Sequence, residues 1–135
     1  MNGYLLATNI VTAHLKKHPL VKQRIRDAEA AGRLVMLNAV TYYEIRRGLL
    51  FAGAQRQLRA FDKLWQALGI VMIDHAVLDK AAELYVELRR AGQLIEDADI
   101  LIAAIAVVHN LTLVTNNTGH FSRIADLHVE DWLTS

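Results

Sequence analysis

Apolar residues in this 135-residue chain form two kinds of segment that alternate along its length. Short apolar runs predict buried strands at residues 4–6, 33–37, 70–73 and 111–114, with a short last strand at 128–129. Longer stretches with apolar residues every three or four positions predict helices between them. This alternation favours a mostly parallel central sheet with helices on both faces, and we therefore predict an α/β fold in one domain, residues 1–135.

All but one of the predicted helices are amphipathic. Their sequence patterns place them from Thr8 onward and at residues 19–31, 41–50, 55–68 and 76–91, with Gly53 and Gly92 as C-terminal caps. The exception follows Asp97 and Asp99, because residues 100–108 are apolar without interruption. A helix with no polar face is expected to be buried on every side.

Composition narrows the possible functions. Fifteen basic and 14 acidic residues leave a net charge of +1, so any contact with RNA has to be local rather than the result of a strongly positive surface. Without cysteine the chain cannot form disulfides or thiolate metal sites, and its six histidines lack the spacing of a zinc pair. The longest apolar run is about half of the roughly 20 residues that a membrane span needs, so we expect a cytoplasmic protein with no membrane partner.

Polar residues at four places are expected along the edge of the parallel sheet where ligands bind. They are Thr8 and Asn9 after the first strand, Glu44 after the second, Asp97 and Asp99 at the start of the apolar helix, and Asn116 and Asn117 after the strand at 111–114. Oxygen ligands gathered in one cleft suit a hard cation such as Mg²⁺ or Mn²⁺.

Each of these residues also has an ordinary structural explanation. Glu44 has the spacing of a capping box with Thr41, and Asp97 has the position of an N-cap. The charge of Asp99 is favoured in the first turn of a helix by the macrodipole, and Asn117 is a common type of turn residue. The residues alone therefore leave both interpretations open.

Four ordered motifs sharpen the choice. They are Tyr-Leu-Leu-Ala-Thr-Asn-Ile-Val, Thr-Tyr-Tyr-Glu-Ile-Arg-Arg-Gly, Ile-Glu-Asp-Ala-Asp-Ile-Leu-Ile-Ala-Ala and Leu-Val-Thr-Asn-Asn-Thr-Gly-His-Phe. In order and spacing they closely resemble those of PIN-domain ribonucleases, in particular the VapC toxins of toxin-antitoxin pairs, over residues 4–132. The resemblance implies a PIN-like three-layer sandwich that hydrolyses RNA with the help of Mg²⁺ or Mn²⁺.

Carried over position by position, the resemblance assigns the metal site. Glu44 and Asp99 match the second and third acidic ligands, and Asn117 matches the last position, which is Asp or Asn in the family. Asp97 is a possible accessory acid. The first motif of the family begins its polar part with a metal-binding aspartate, and in this chain Ala7 stands at that position.

The same resemblance implies the partners. Thr8 and Asn9 would orient ligands or phosphate, and Arg46 is a candidate contact to the RNA backbone, although Arg46 and Arg47 also fit a solvated helix face. The expected partners are an RNA substrate, with transfer RNA as one candidate, and a VapB-type antitoxin whose extended tail blocks the acidic cleft. A homodimer is the expected working unit.

Ala7 removes a ligand and a negative charge, so we expect this chain to be nearly inactive as it stands. Because the rest of the motif is intact, our hypothesis is that Ala7 is an engineered replacement that disarms a toxic nuclease, and a naturally degenerate, non-catalytic homologue is the alternative. The alternative function is a non-catalytic PIN-like scaffold that binds RNA or a protein. A receiver-like domain is disfavoured, because Val114 is followed by Thr115 and Asn116 and not by the lysine such a domain requires.

Overall fold

The structure is a computed structural model that describes residues 3–134. It contains the strands β1 (Gly3–Leu6), β2 (Leu34–Asn38), β3 (Ile70–Val71), β4 (Thr112–Val114) and β5 (Val129–Glu130). The helices are α1 (Thr8–Leu15), α2 (Pro19–Ala30), α3 (Ala39–Ala52), α4 (Gln55–Leu68), α5 (His75–Arg90), α6 (Asp97–His109) and α7 (Thr118–Phe121). In this range no helix is long and apolar enough to cross a membrane.

The five strands form one sheet in the order β3-β2-β1-β4-β5, and every pairing is parallel. This confirms the predicted α/β fold with a parallel sheet. β1 lies at the centre and all four of its residues are buried, as expected for a strand covered on both faces. The carboxyl ends of β1, β2 and β4 therefore meet at one edge of the sheet.

Helices cover both faces of the sheet and produce two cores. Because neighbouring side chains of a strand point to opposite faces, Leu5 packs with residues of α5 and α6, while Tyr4 and Leu6 pack with residues of α1, α2 and α4. These are the three layers expected of a PIN-like sandwich. The predicted apolar stripe of α4 contributes to the second core, where Phe61 is fully buried.

The apolar helix α6 is buried along most of its length but not on every side. Residues 102–106 are buried, which follows from the lack of a polar face. Leu101 is only partly buried, however, and Val108 is 37% exposed. The expectation of burial all round was therefore wrong at both ends of the apolar run.

Two helices begin earlier than their capping signals predict. α3 begins at Ala39, where the Asn38 side chain accepts a hydrogen bond of 2.8 Å from the Thr41 amide. Glu44 consequently lies in the second turn, so the predicted capping box of Thr41 and Glu44 was wrong. Asp97 is the first residue of α6 and Glu96 occupies the N-cap position, so the N-cap prediction for Asp97 was also wrong, by one residue.

Candidate active site

An open cleft of about 440 Å³ lies at the carboxyl edge of β1 and β4. It is lined by Ala7, Thr8, Asn9, Thr12, Glu44, Asp99, Ile102, Thr115, Asn117 and Phe121. The structure thus brings Glu44, Asp99 and Asn117 together beside residue 7, with Thr8 and Asn9 between them. Residue 7 and Asn117 follow β1 and β4 at the carboxyl edge of the sheet, and Glu44 lies on the helix that follows β2. Asp99 is at the start of α6, whose far end leads into β4, so the start of this helix lies at the same edge.

One side of the cleft, the α3 wall, consists of Asn38, Thr41 and Glu44, and Thr8 of α1 joins it. The Thr8 hydroxyl donates to Glu44 Oε1 at 2.6 Å. Thr8 and Thr41 Oγ1 atoms are 2.9 Å apart, and because the Thr8 proton is already used, the Thr41 hydroxyl is the donor. Asn38 Nδ2 donates in turn to Thr41 Oγ1 and to the carbonyl of Leu6, each at 3.0 Å.

The hydrogen bonds of the α3 wall therefore run in one direction, from Asn38 through Thr41 and Thr8 to the carboxylate of Glu44. Asn38 and Thr41 are fully buried, and burial strengthens such a chain because the surroundings are poorly polarisable. This series of hydrogen bonds fixes the position of the Glu44 carboxylate at the cleft.

The opposite side, the α6–α7 wall, consists of Asp99, Asn117 and His120. Nδ1 of His120 lies 2.9 Å from Nδ2 of Asn117 and 3.4 Å from Oδ2 of Asp99. The backbone amide of Asn117 donates to Thr115 Oγ1 at 3.0 Å, which fixes the turn between β4 and α7. This wall therefore brings two oxygen-bearing side chains and an imidazole to one point.

Burial raises the pKa of the Asp99 carboxyl above its ordinary value. The neighbouring His120 lowers this pKa by hydrogen bonding and charge, while the negative charges of Glu96 and Glu44 raise it further. The influence of Glu44 shows that the two carboxyl groups interact across the cleft. A cation between them would favour the charged form of both.

Residue 7 lies between the two walls. The Ala7 amide donates to the carbonyl of Val114 at 2.9 Å, and the residue is 5% exposed and lines the cleft. Beside it, Oδ1 of Asn9 is buried and has no hydrogen-bond partner among residues 3–134, while its Nδ2 lies 3.5 Å from Thr115 Oγ1. A buried acceptor without a donor is costly, so the cleft favours a ligand that supplies one.

Two of the predicted site residues lie apart from this cleft. Asp97 is exposed in the first turn of α6 and does not line the cleft. Arg46 donates to Asp62 of α4 at 3.0 Å and lies over the ring of Tyr42, so its guanidinium is held between α3 and α4. Their assignment as accessory acid and RNA contact remains a prediction without support from the geometry.

Sequence reasoning missed four polar residues of the site, of which Thr12 lines the cleft from the second turn of α1. Asn38 had a readable signal, since an asparagine directly before a helix is a strong N-cap. Thr115 is almost fully buried and supports both Asn9 and Asn117. His120 belonged to the fourth quoted motif, but its role depends on the short helix α7, which has no periodic signal.

The chemistry of the cleft fits a hard divalent cation in kind and is one carboxylate short in number. Glu44, Asp99 and Asn117 offer carboxylate and amide oxygens, and the Thr8 hydroxyl lies beside them. Across residues 3–134, however, no three acidic, histidine or cysteine side chains lie close enough together to hold an ion. The family resemblance predicts an aspartate at the position of Ala7, whose side chain offers no ligand oxygen.

Comparison with known proteins identifies the class of this α/β fold and acidic cleft. Residues 4–127 match the model of the PIN domain, and the chain therefore belongs to the PIN-domain family. It is 30% identical to "Ribonuclease VapC2" of Rickettsia felis over 130 residues, which cover 96% of this chain and 97% of that protein. It is 28% identical to "tRNA(fMet)-specific endonuclease VapC" of Shigella flexneri over 134 residues, covering 98% and 99%. Within the family its relatives are thus VapC ribonucleases.

A solved structure agrees with this placement. The crystal structure of VapBC2 from Rickettsia felis bound to a DNA fragment from their promoter matches the chain with a TM-score of 0.88 and 29% identity, covering 96% of this chain and 98% of that one. The predicted PIN-like fold is therefore confirmed.

Proposed function

We propose that this chain is an endoribonuclease toxin of the VapC type that depends on Mg²⁺ or Mn²⁺ and is nearly inactive because of Ala7. The observation that carries the proposal is the convergence of Glu44, Asp99 and Asn117 on one cleft beside residue 7. Family membership supports RNA phosphodiester hydrolysis as the reaction.

Each residue of the cleft has a defined task in this proposal. Asp99 and Glu44 would hold a divalent cation, and Asn117 would help to position the attacking water. When bound, the cation supplies activation of water and neutralisation of charge on the phosphate. The hydroxyl of Thr8 orients Glu44 through its 2.6 Å hydrogen bond. Asn9, with its buried and unpaired Oδ1, contacts the ligand or its water on the opposite side of residue 7.

Ala7 explains why activity should be low. Its methyl group faces the cleft where a third carboxylate would complete the ligand set. Loss of an outer-shell partner at a metal site already costs about 10–100-fold in affinity or activity, and a missing direct ligand should cost at least as much.

Ala7→Asp tests this proposal. We expect the variant to cleave RNA in the presence of Mg²⁺ at least about 10-fold faster than the unchanged chain. Ala7→Asn is the matched control, because it adds a side chain of the same shape without the charge and should gain much less. Adding Glu44→Gln to Ala7→Asp should abolish the gain.

Failure of Ala7→Asp to cleave, with the fold intact by circular dichroism, would contradict the nuclease. It would favour the alternative, a PIN-like scaffold that binds RNA or a protein without cleaving. The alanine at position 7 is the observation that supports this alternative.

A VapB-type antitoxin is the proposed protein partner, supported by solved complexes of VapBC relatives. An apolar groove of about 270 Å³ runs between α1, α3 and α4, and it shares Thr8, Thr12 and Glu44 with the cleft. An extended tail lying in this groove would end at the acidic residues and block them.

Gly48 offers a precise way to test the groove. It lines the groove, and a Cβ placed there would meet nothing within 4 Å, so a larger side chain fits without disturbing the fold. We expect Gly48→Leu to fill the groove and to weaken binding of the antitoxin at least about 10-fold by calorimetry, the loss of roughly 1.4 kcal/mol. Ala52→Leu, on the exposed end of the same helix, is the control and should bind normally.

The remaining partners follow the same reasoning. We propose a homodimer that uses the apolar surface around Val40, Tyr43, Ile73 and Leu101 beside the cleft. Light scattering in solution checks the mass, and Tyr43→Ser should weaken the dimer.

RNA is the proposed substrate, and the name of the Shigella flexneri relative makes transfer RNA the first substrate to assay.

A further inference from the structure

Charge is distributed unevenly along this nearly neutral chain. Residues 1–68 hold 11 of the 15 basic residues but only four of the 14 acidic residues, whereas residues 69–135 hold four basic and ten acidic residues. The first part supplies α1, α2 and α4, which pack in one core, and the second part supplies α5 and α6, which pack in the other. One face of the molecule is therefore basic and the opposite face acidic, although the net charge is only +1.

The basic residues of α4 lie in a row on its outer side. Arg56, Arg59 and Lys63 are spaced by three and four positions, which places them on one side of the helix. All three are exposed, and the buried residue of α4, Phe61, is on the other side. At the rise of an α-helix, these three residues span about 10 Å. We call them the basic row.

The basic row differs from an ordinary solvated helix face, which α5 illustrates. On α5 acidic and basic residues are interspersed, and Lys80 pairs with Glu83 at 3.3 Å. Within residues 3–134, by contrast, no member of the basic row forms an ion pair or a side-chain hydrogen bond. Asp62, the one acidic residue of α4, bonds instead to Arg46 at 3.0 Å. The charges of the basic row are therefore uncompensated, and its two members four positions apart repel each other.

The basic row begins near the edge of the sheet that carries the cleft. Because α4 leads into the amino end of β3 and all strands are parallel, the first turn of α4 lies toward the carboxyl edge. Gln57, the neighbour of Arg56, lines the groove that shares Glu44 with the cleft, and Lys16 lines the same groove from the end of α1. A polyanion that leaves the cleft along this groove would therefore reach Lys16 first and the basic row next.

The surface of α4 suits a polyanion better than a protein. The large apolar side chains that are exposed among residues 3–134 all lie on other elements. Protein interfaces bury apolar and aromatic side chains at their centre and are depleted of lysine. Phosphate backbones, in contrast, are bound through lysine and arginine with little need for apolar contact.

We propose that the basic row docks the phosphate backbone of the RNA, with Lys16 at the junction between the groove and α4. The inference rests on the proposed function for its choice of RNA, and it adds the surface that holds the RNA outside the cleft. The acidic face formed by α5 and α6 repels the same backbone, so the two faces together orient the RNA on the protein.

The experiment measures RNA binding by the unchanged chain without divalent ions, so that the RNA stays intact. Fluorescence anisotropy follows a labelled oligouridine of about 15 nucleotides, a length within the site sizes of single-strand binders. We expect the triple variant Arg56→Gln, Arg59→Gln, Lys63→Gln to bind at least about 10-fold more weakly near 0.1 M salt. The slope of log affinity against log salt should also become shallower by about 2, since each contact to a single strand contributes about 0.7.

A second triple variant is the matched control. Lys80→Gln, Arg89→Gln and Arg90→Gln remove the same three charges from α5, on the acidic face. This variant should keep its affinity within about 2-fold and its salt slope unchanged, because these residues contact no phosphate. Equal losses in the two triple variants, with both folds intact by circular dichroism, would show that only net charge matters and would overturn the docking surface.

The outcomes separate this inference from the proposed function. In Ala7→Asp, the α4 triple variant should raise KM at least about 10-fold and leave kcat unchanged, because it removes binding that substrate and transition state share. If Ala7→Asp cleaves RNA but the α4 triple variant changes neither KM nor the salt slope, the docking surface is overturned and the nuclease stands. If Ala7→Asp does not cleave, yet the unchanged chain binds oligouridine through the basic row, the docking surface is upheld and the nuclease is not. Binding of polyglutamate without binding of oligouridine would overturn the choice of RNA and assign the row to an acidic protein segment.

Discussion

On the α3 wall each side-chain hydrogen has a defined acceptor, whereas on the α6–α7 wall the donor and acceptor roles depend on the tautomer of His120 and on the orientation of the Asn117 amide. The chain from Asn38 to Glu44 consists of contacts between 2.6 and 3.0 Å. Across the cleft, Asp99 and His120 meet at 3.4 Å, and burial raises the pKa of Asp99. The hydrogen bonds of the first wall are therefore fixed by the protein alone, while those of the second wall are longer at Asp99 and have no single arrangement.

The two walls therefore differ in what their residues contribute, stability on one side and ligand binding on the other. A fully satisfied buried network stabilises and orders its surroundings, so the α3 wall should contribute to folding. Polar groups whose hydrogen bonds are long or not fixed add less to folding and are available to a ligand. Substitutions in the α6–α7 wall should therefore change metal binding more than they change the free energy of unfolding.

The largest expected effect is at Asn38. Asn38→Ala removes the N-cap of α3, which typically costs about 1 kcal/mol, and leaves buried partners unsatisfied at about 1–3 kcal/mol each. We expect the free energy of unfolding to fall by about 2–4 kcal/mol in urea denaturation. Asn117→Ala, on the half-buried α6–α7 wall, should cost less than about 1 kcal/mol.

Equal losses in the free energy of unfolding from Asn38→Ala and Asn117→Ala would contradict the distinction between the two walls. Asn38→Asp refines the test, because it retains the acceptor that caps Thr41 but cannot donate to Leu6. Both variants lose the donated bonds, and Asn38→Asp also buries a charge. It should therefore lose less stability than Asn38→Ala only if the retained cap contributes more than the buried charge costs.

A smaller effect is expected in the coupling between neighbours. Thr8→Val and Thr41→Val each remove a hydroxyl from the α3 wall, and a double-mutant cycle should give an interaction energy of about 1 kcal/mol. Without metal, the cycle of Asn117→Ala with His120→Ala should give less than about 0.5 kcal/mol. A stronger coupling on the α6–α7 wall than on the α3 wall would reverse our assignment.

Much of this architecture could be predicted from sequence because its signals are local. Strand and helix periods fixed the alternation of elements, and a parallel sheet brings the ends of its strands to one edge whatever the details. That is why Glu44, Asp99 and Asn117 could be placed together before any coordinates were known.

The partners of each polar group could not be predicted, because they depend on packing between distant elements. Whether Asn38 or Thr41 is the N-cap of α3 depends on the residue at which β2 ends in its pairing with β1 and β3. Arg46 was expected to contact the RNA backbone. It instead pairs with Asp62, 16 residues away, because α3 packs against α4. His120 reaches Asp99 across 21 residues through a four-residue helix that has no sequence signature.

The smallest effect concerns the charge of Asp99. Because burial raises the pKa of this carboxyl, folding favours its protonated form. Its contribution to stability is therefore present below the pKa of the unfolded chain and is lost as the pH rises through the folded value. At pH 7, Asp99→Asn removes an unfavourable buried charge and should raise Tm by no more than about 4 °C, roughly the shift that 1 kcal/mol gives at this size.

Asp97→Asn is the matched control, since it removes the same charge from the same helical turn at an exposed position. The helix macrodipole favours an acid at both positions, so the difference in Tm between the two variants isolates the burial of Asp99 and its repulsion by Glu44. We expect Asp99→Asn to be the more stable variant at pH 7, and the difference to shrink as the pH falls through the titration of Asp99. Addition of Mn²⁺ should reverse the order, because only Asp97→Asn retains the carboxylate that we propose binds the ion. An order that is the same with and without Mn²⁺ would mean that the charge of Asp99 has no ligand to stabilise it, and the contrast between the walls would then be structural alone.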